Sequence, residues 1–275
     1  MEILSPGGSL EAVKAGINAG ATAVYVGLER FSARAYAKNF TIETLPIDYC
    51  HERNVKIYLA LNTLIHEADI DEIKSLADIP VDAFIVQDLG VVKMLKGKNL
   101  HASTQMTIHT EKGIEFAKKA GISRVVLARE LPKDKIAALT AFAHKNGIET
   151  EVFVYGALCM CVSGQCYMSA FFGGGKRSAN MGSCAGACRL PFTNGLRFNP
   201  NARALSLKDQ NLAPYVRELE KMGVDSLKIE GRMKGSDYVT KSVTAIKTGK
   251  YEKNMTDGYY TGNINDCFGK RDNQT

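Results

Sequence analysis

Five of the seven cysteines lie within thirty consecutive residues, in two groups on either side of a glycine-rich stretch. Thiolate sulfur is a soft ligand that suits iron–sulfur clusters and zinc, whereas structural cysteines without a ligand are usually scattered singly through a core. The glycines at 173–175 give the chain enough freedom to fold the second group back onto the first. The sequence therefore predicts one metal centre with four thiolate ligands, namely Cys159, Cys166, Cys184 and Cys188.

Three kinds of thiol site fit this pattern. An iron–sulfur cluster needs cysteines on irregular backbone inside a dry pocket, and the apolar residues around Leu158, Met168 and Leu190 could supply one. A structural zinc site usually has two C-x2-4-C pairs, whereas here one pair has three intervening residues and the other has six. Buried free thiols or disulfides are the third alternative, although nothing else about the chain resembles a secreted protein. Cys161 lies two residues from Cys159 and could replace it as a ligand.

Short apolar segments alternate with amphipathic helical patterns from the start of the chain. Each helical pattern ends at a glycine or proline turn before the next buried segment, which is typical of parallel βα units. Eight strands are predicted, at Glu2–Leu4, Ala23–Val26, Lys56–Leu61, Ala83–Val86, Leu100–Ser103, Arg124–Leu127, Glu149–Val154 and Ser226–Ile229. Helices are predicted after an N-cap at Ser9 and at Glu43–Arg53, Asp69–Leu76, Leu89–Leu95, Thr110–Ala120, Pro132–Asn146, Asn211–Met222 and Asp237–Lys247.

This alternation predicts an α/β fold of the (β/α)8, TIM-like barrel type. An open doubly wound sheet is the alternative, because a strand count does not prove that the sheet closes. The barrel is assigned to residues 1–248 as one domain, with residues 249–275 as a C-terminal tail. A long Cys-rich excursion, residues 155–225, separates the last two strands and contains a possible strand at Arg203–Leu207. It is far longer than a usual βα loop, and loops of that size are usually functional.

Polar residues follow most of the predicted strands. A TIM-like barrel carries its site on loops at the C-terminal ends of the strands, so these side chains should meet at one mouth. The alternative is that about half of them are helix caps or loop salt bridges, since Asp88 could cap the helix at Leu89 and Glu130 precedes another helix start. The set comprises Arg34, Asn62, Gln87, Asp88, Ser103, Gln105, Arg129, Glu130, Glu230 and Arg232.

The net charge of +6 is concentrated after the first cysteine group. Residues 176–275 contain 17 Lys and Arg against 10 Asp and Glu, and the preceding residues contain 18 against 19. Such asymmetry suits a polyanion such as RNA, although an ordinary basic surface would show the same count. No apolar run approaches the length of a membrane span and the N-terminus lacks the features of a signal peptide, so we expect a cytoplasmic protein that does not bind membranes.

Several enzyme classes have no motif in this chain. None of the five histidines stands in an H-E-x-x-H arrangement, and there is no G-x-S-x-G elbow, P-loop or dinucleotide fingerprint. A zinc protease, a serine hydrolase and a nucleotide-driven enzyme are therefore not supported by the sequence.

Several stretches resemble the signature of the collagenase-like peptidase family U32. The run from Glu151 to Ser169 has the family's glutamate, aromatic, glycine, cysteine and G-x-C-x-hydrophobic-Ser in order. Further agreement comes from Leu4–Glu11, from Ala23–Gly27 followed by Arg34-Ala-Tyr, and from Ser226–Lys234, which contains K-I-E-G-R. The resemblance covers roughly residues 2–248.

The resemblance implies RNA hydroxylation better than it implies proteolysis. Members of the family install 5-hydroxyl groups on a tRNA uridine or a ribosomal RNA cytidine, with prephenate as the hydroxyl source, and others hydroxylate the ubiquinone ring without oxygen. Several such relatives look like [4Fe–4S] proteins. We therefore expect a [4Fe–4S] cluster on the four cysteines named above.

Our leading hypothesis is an iron–sulfur barrel protein that takes part in 5-hydroxylation of a pyrimidine in tRNA or ribosomal RNA. Arg34, Arg129 and Arg232 could hold the carboxylates of prephenate, since a guanidinium matches a carboxylate in a bidentate way. Glu230 and Asp88 are candidates for proton transfer. Together with Arg232 they are the predicted catalytic residues. The remaining substrate-binding candidates are Asn62, Gln87, Ser103, Gln105 and Glu130.

The sequence is also compatible with two other functions. The family name implies a collagenase-like peptidase, but no nucleophile–base pair stands out, and a thiol that binds a cluster cannot also attack a peptide. A non-catalytic iron–sulfur accessory protein of an oxygen-independent hydroxylase is the third hypothesis. Such a protein would act with a protein partner or as a homo-oligomer.

Overall fold

The computed structural model of the protein describes residues 1–35, 37–192, 203–250 and 252–269. Tyr36 of the Arg34-Ala-Tyr motif, residues 193–202 of the predicted excursion, and residues 251 and 270–275 of the predicted tail lie outside the described residues. Within the described part, no helix has both the length and the apolar character that crossing a membrane requires.

Eight parallel strands form a closed barrel, as predicted. Each strand pairs in parallel with the strands on either side, and the seventh strand pairs with both the sixth and the last, which joins the first. The pairing leaves no free edge in the ring, so the open doubly wound alternative is wrong. The strands are β1 (Glu2–Gly7), β2 (Ala23–Gly27), β3 (Lys56–Leu61), β4 (Ala83–Val86), β5 (Leu100–Ala102), β6 (Arg124–Val126), β7 (Glu149–Ala157) and β9 (Ser226–Ile229).

Helices surround the ring and cover its apolar outer surface. Ser9 and Thr110 are N-caps whose hydroxyl oxygens accept hydrogen bonds from Ala12 N at 3.2 Å and Gly113 N at 3.1 Å. The helix predicted from Glu43 is shorter than expected. The helices are α1 (Leu10–Ala19), α2 (Ile47–His51), α3 (Ile70–Ser75), α4 (Leu89–Met94), α5 (Glu111–Lys119), α6 (Lys133–Lys145), α7 (Met168–Phe172), α8 (Val216–Lys221), α9 (Ser236–Thr248) and α10 (Gly258–Thr261).

The hydrophobic core has two parts because successive strand residues face opposite sides of the sheet. Val24, Val26 and Leu59 belong to a large cluster between the strands and the helices. Tyr25 and Tyr58 belong to a smaller, separate cluster of alternating residues from β1 to β4. Glu2 and Lys228 also reach this second side, so part of the barrel interior is polar.

The excursion between β7 and β9 carries its own short strand, β8 (Asp209–Asn211), which pairs antiparallel with the end of β7. The possible strand at Arg203–Leu207 is not formed, because Leu207 makes only an isolated bridge to Phe268. The helix predicted from Asn211 begins at Val216, after a short 3-10 turn at Ala213–Tyr215.

The described part of the tail packs on this excursion. Asn211 N donates to Thr256 O at 2.9 Å, Thr256 N donates to Asp209 O at 2.8 Å, and Lys208 pairs with Asp266 at 2.8 Å. The division into a barrel at 1–248 and a tail at 249–275 stays a prediction, since these contacts do not define a domain boundary.

Candidate functional site

A pocket of about 520 Å³, including the space open to solvent, lies at the C-terminal ends of the barrel strands. Seven of the ten polar residues predicted to meet at the mouth line it: Arg34, Asn62, Ser103, Gln105, Arg129, Glu230 and Arg232. The other residues that line it are Tyr25, Ala33, Ala60, Ile85, Thr104, Phe153 and Lys228. Four of the lining residues are basic and one is a carboxylate, so the pocket has an excess of positive charge.

Arg232 is the most unusual of these cations. It is 4% exposed, and its Nη1 donates a hydrogen bond to the neutral Ser32 Oγ at 2.5 Å. Within the described residues no carboxylate lies at ion-pair distance from it. Burial lowers its pKa to about 10, although Tyr25 and the more distant Glu230 oppose that effect. A Cβ on Gly27 would lie 2.0 Å from Nη1, so glycine at the end of β2 provides the room for this guanidinium. Burying a charge without an opposite partner is costly, which indicates a function that needs it.

Arg34 differs from Arg232 because it is paired. Its Nη2 and Nε donate to Glu230 Oε1 at 3.0 and 3.2 Å, and the charge of Glu230 raises the pKa of Arg34. Asn62 holds the same loop, since its Oδ1 accepts a hydrogen bond from Ala33 N at 3.0 Å. The pair places one carboxylate at the mouth beside the cations.

Lys228 also lines the pocket, although the sequence analysis did not select it. Its Nζ lies 2.6 Å from Glu151 Oε1, 4.6 Å from the centre of the Tyr25 ring and 5.4 Å from that of Phe153. Burial lowers the pKa of Lys228, and the nearby Glu151 carboxylate opposes that effect. A lysine inside a buried strand was the available signal, and it lines the same pocket as Glu230 and Arg232, two and four residues further on.

Below Lys228, the N-terminal half of the barrel interior contains a matched ionic network. Arg124 is 4% exposed and contacts Glu2 at 2.6 Å, Glu149 at 2.7 Å and Glu151 at 3.3 Å. Burial works to raise the pKa of Glu2, but the charge and hydrogen bonds of Arg124 outweigh it and the net pKa is lowered. Tyr58 donates to the same carboxylate at 2.6 Å. This network lies beneath the pocket. We call its members, Glu2, Tyr58, Arg124, Glu149 and Glu151, the ionic floor.

Three predicted site residues do not line the pocket. Asp88 caps α4, because its Oδ1 accepts hydrogen bonds from Gly90 N at 2.7 Å and Val91 N at 3.3 Å. Glu130 accepts from Ser163 N at 3.1 Å and from Ser163 Oγ at 2.9 Å. The Oε1 atom of Gln87 is buried without a hydrogen-bond partner among the described residues. Asp88 and Glu130 therefore have the cap and loop roles weighed as alternatives.

Ser163 fixes the first cysteine group to one side of the mouth. Its side chain is buried, and its Oγ accepts hydrogen bonds from Thr104 Oγ1 at 3.3 Å and from Arg129 N at 3.3 Å. Thr107 Oγ1 donates to Ser163 O. Gly164 follows with φ +79°, and a Cβ there would lie 2.0 Å from the carbonyl oxygen of Gln105. The loop thus docks on residues that line the pocket.

The second cysteine group reaches the opposite side of the mouth. Leu64 N, in the loop after β3, donates to Asn180 O at 3.0 Å, and Ala35 N donates to Gly182 O at 3.4 Å. The cysteine segment, residues 159–188, is therefore anchored on both sides of the pocket.

The thiols of this segment share one electrostatic neighbourhood. Burial, together with the neighbouring Cys166 and Cys159, raises the pKa of Cys161 to about 11. Burial also raises the pKa of Cys188, where Arg189 opposes the effect and Cys159, Cys184 and Cys166 add to it. Among the described residues, no three Cys, His, Asp or Glu side chains are arranged to hold a single metal ion. The four-thiolate metal centre on Cys159, Cys166, Cys184 and Cys188 therefore stays a prediction.

The family model described as Peptidase family U32 matches residues 8–264. The chain belongs to peptidase family U32. Its match extends from the start of α1 through the other seven barrel strands, the cysteine segment and most of the described tail, so the family signature read from the sequence is confirmed.

The relatives of this U32 protein include proteins named for RNA hydroxylation and a protein named for proteolysis. The 23S rRNA 5-hydroxycytidine synthase of Escherichia coli is 39% identical over 89% of this chain and 38% of its own length. The tRNA hydroxylation protein P1 of Bacillus subtilis is 34% identical over 90% of this chain and 62% of its own. A protein of Porphyromonas gingivalis named collagenase is 33% identical over 95% of this chain and 73% of its own. The chain thus spans only part of the relatives named for RNA hydroxylation.

A solved U32 peptidase structure shares the fold of this U32 protein. The two superpose with a TM-score of 0.55, covering 84% of this chain and 93% of the other, at 13% sequence identity. At this identity the likeness shows the shared architecture alone.

Proposed function

We propose that this U32 protein takes part in hydroxylating carbon 5 of a pyrimidine in tRNA or ribosomal RNA, with prephenate as the hydroxyl source and a [4Fe–4S] cluster beside the pocket. The observation that carries the proposal is the buried positive charge at the mouth, in a chain whose relatives include proteins named for RNA hydroxylation. A dianion of suitable size would neutralise that charge.

The donor fits the charge pattern of the pocket. Prephenate carries two carboxylates, and Arg232 is a buried guanidinium that has only a serine as its polar partner among the described residues. Arg129 also lacks an ion pair within the described part, and its guanidinium lies 5.7 Å from the centre of the Phe153 ring. These two guanidinium groups can each take one carboxylate, while Arg34 keeps Glu230 in place.

The side chains near the pocket can also handle the proton that the reaction releases. Replacing the hydrogen on carbon 5 by hydroxyl oxidises the base by two electrons, which the oxygen donor must accept, and the hydrogen leaves as a proton. Glu230 is the carboxylate among the pocket-lining residues, so it is our candidate for the proton acceptor. Asp88 does not line the pocket and is not part of this proposal.

The cysteines fit an iron–sulfur cluster in donor type. Each thiolate of a [4Fe–4S] cluster binds a different iron, so its ligands are spaced more widely than those of a single ion. Gly186 N lies 3.3 Å from Cys184 Sγ and donates to it, which is the kind of contact that stabilises a bound thiolate. Cys159, Cys166, Cys184 and Cys188 would hold the group, which supplies one-electron chemistry when bound.

Nucleoside analysis tests the activity. RNA from a strain lacking the gene, with and without the gene restored, is digested and analysed by mass spectrometry for 5-hydroxycytidine and 5-hydroxyuridine. We expect one of the two to disappear on deletion and to return with the wild-type gene but not with Glu230→Gln. Normal levels of both nucleosides in the deletion strain would contradict the proposal.

Anaerobic purification tests the cluster and separates the peptidase alternative. We expect a brown protein with iron and sulfide near four each, loss of iron in Cys159→Ser, and retention of iron in the matched variant Cys161→Ser. The reverse result for the two variants would make Cys161 the ligand. A colourless protein that hydrolyses gelatin would instead support a peptidase, which the Porphyromonas relative's name favours.

A further inference from the structure

Three aromatic side chains close together in the cysteine segment are exposed to solvent. Tyr167 is 64% exposed, Phe171 is 81% exposed and Phe172 is 67% exposed, whereas Phe side chains are normally buried. The Phe171 and Phe172 rings are 5.3 Å apart and nearly perpendicular. We call these three residues the aromatic shelf. An exposed apolar group of this kind usually marks a binding surface.

The aromatic shelf is continuous with the mouth of the pocket. Phe171 and Phe172 end helix α7, and Ser169 of the same helix accepts a hydrogen bond from Ala185 N at 2.9 Å. Three residues before Ala185, the carbonyl oxygen of Gly182 accepts a hydrogen bond from Ala35 N at 3.4 Å, directly after the pocket-lining Arg34. A molecule lying on the shelf would therefore reach the pocket across the cysteine segment.

The stretch of sequence that contains the shelf has no acidic residue. Residues 152–208 contain six Lys and Arg and no Asp or Glu. Three glycines separate Phe172 from Lys176, which is exposed. Aromatic side chains next to acid-free, basic chain match a single-stranded nucleic acid, which offers flat bases and negative phosphates together. An apolar protein partner would require the aromatics but not the absence of acids.

We propose that the aromatic shelf binds unpaired RNA bases next to the target pyrimidine by stacking, with Lys176 facing a phosphate. This inference rests on the proposed function for its substrate class and adds the surface that holds it. Sequence-specific and single-stranded RNA recognition commonly uses bases stacked on Phe and Tyr side chains. Stacking has little preference among bases, so the shelf would contribute affinity, and the choice of base would be made in the pocket.

Fluorescence anisotropy with a labelled, single-stranded oligopyrimidine RNA tests the shelf. We expect the double variant Phe171→Ala/Phe172→Ala to bind roughly 10- to 100-fold more weakly than the wild type, the loss typical of removing a stacking platform. Phe116→Ala is the matched control, because Phe116 is a 45% exposed phenylalanine on the outer helix α5. Its affinity should stay within about twofold of the wild type, as expected for a surface residue without RNA contact.

Salt dependence separates stacking from charge. Lys176→Ala should lower the slope of log affinity against log salt by roughly 0.7, as expected for one phosphate contact on a single strand. The phenylalanine variant should keep the wild-type slope and lose affinity equally at every salt concentration. Equal affinity of the phenylalanine variant and the wild type would overturn the proposal.

Two further outcomes are decisive. A halved molecular mass of the phenylalanine variant in light scattering, with unchanged RNA affinity, would make the shelf an interface between two copies of the chain and overturn the RNA assignment. Shelf-dependent RNA binding in a protein that fails to restore hydroxylation would support the shelf while contradicting the proposed function. Restored hydroxylation together with RNA binding that does not depend on the shelf would support the proposed function and contradict the shelf.

Discussion

The ionic floor and the pocket mouth bury charges in opposite ways. In the floor, Arg124 lies within 3.3 Å of three carboxylates. At the mouth, Arg232 is equally buried and has one neutral hydroxyl as its hydrogen-bond acceptor. Buried charges that are paired within the chain have a structural role. The attraction between the two partners offsets the cost of desolvating them, and removing either partner leaves that cost uncompensated. A buried charge that is left unmatched indicates that its partner comes from outside the chain.

Removing the central cation of the floor should produce the largest effect. Arg124→Met leaves the buried Glu2 carboxylate without its ion-pair partner and Glu151 with Lys228 alone, so we expect the free energy of unfolding to fall by about 3–5 kcal/mol. Urea denaturation measures it. The matched control Arg217→Met, at an exposed position on α8, should change it by less than about 0.5 kcal/mol. Similar values for the two variants would show that the floor is not a structural network.

The corresponding change at the mouth should affect binding and leave stability nearly intact. Arg232→Met removes a cation that no carboxylate pairs with among the described residues, so we expect the free energy of unfolding to stay within about 1 kcal/mol of the wild type. Prephenate affinity, measured by calorimetry, should fall roughly 10- to 100-fold through loss of a charged hydrogen bond. A destabilisation as large as that of Arg124→Met would erase the distinction between the two regions.

Acid should weaken the floor through Glu2. The folded protein lowers the pKa of this carboxyl below its ordinary value of 4.5, so the stabilisation is present above that pH and is lost as pH falls through the folded-state pKa. We expect Glu2→Gln to reduce the pH dependence of unfolding in that window by up to about 1.4 kcal/mol per pH unit. Glu220→Gln, at an exposed position, should leave the pH profile unchanged.

Asp88 should give the smallest effect and sharpen the boundary of the site. Its carboxylate caps α4, so Asp88→Ala should cost about 1 kcal/mol of unfolding free energy and leave prephenate affinity at the wild-type value. Denaturation and calorimetry on the same preparation measure both. A clear loss of affinity would return Asp88 to the group of substrate-binding residues.

The barrel was predictable because its evidence is local. Each βα unit shows an apolar strand such as Ala23–Gly27, followed by an amphipathic helix that ends at a turn, and the closed ring satisfies all eight. The length of α2 was not predictable in this way. The residues before Ile47 share the helical pattern, but the helix begins after Pro46, which provides no side-chain cap. The strand suggested at Arg203–Leu207 was wrong, because Leu207 makes only an isolated bridge to Phe268 and β7 pairs with the residues that follow, Asp209–Asn211.

The polar mouth was only partly predictable. Arg34, Glu230 and Arg232 stand where the rule for barrel strand ends places them. Lys228 was missed because it lies inside a strand, and its inward direction depends on a register that only the three-dimensional pairing fixes. Whether Asp88 or Glu130 faces the pocket or a neighbouring loop depends on a few degrees of backbone direction, which composition does not encode.

The position of the cysteine segment between the last two barrel strands also bears on how the chain can change. The ring closes only when β9 joins β1 and β7, and the cysteine segment lies in the excursion between these strands, outside the ring. The entropy cost of closing a loop grows only with the logarithm of its length, about 0.6 kcal/mol for each doubling. Insertions and deletions there cost little, provided that the contacts at Ser163 and Asn180 are kept, so new substrates can be accommodated without rebuilding the barrel.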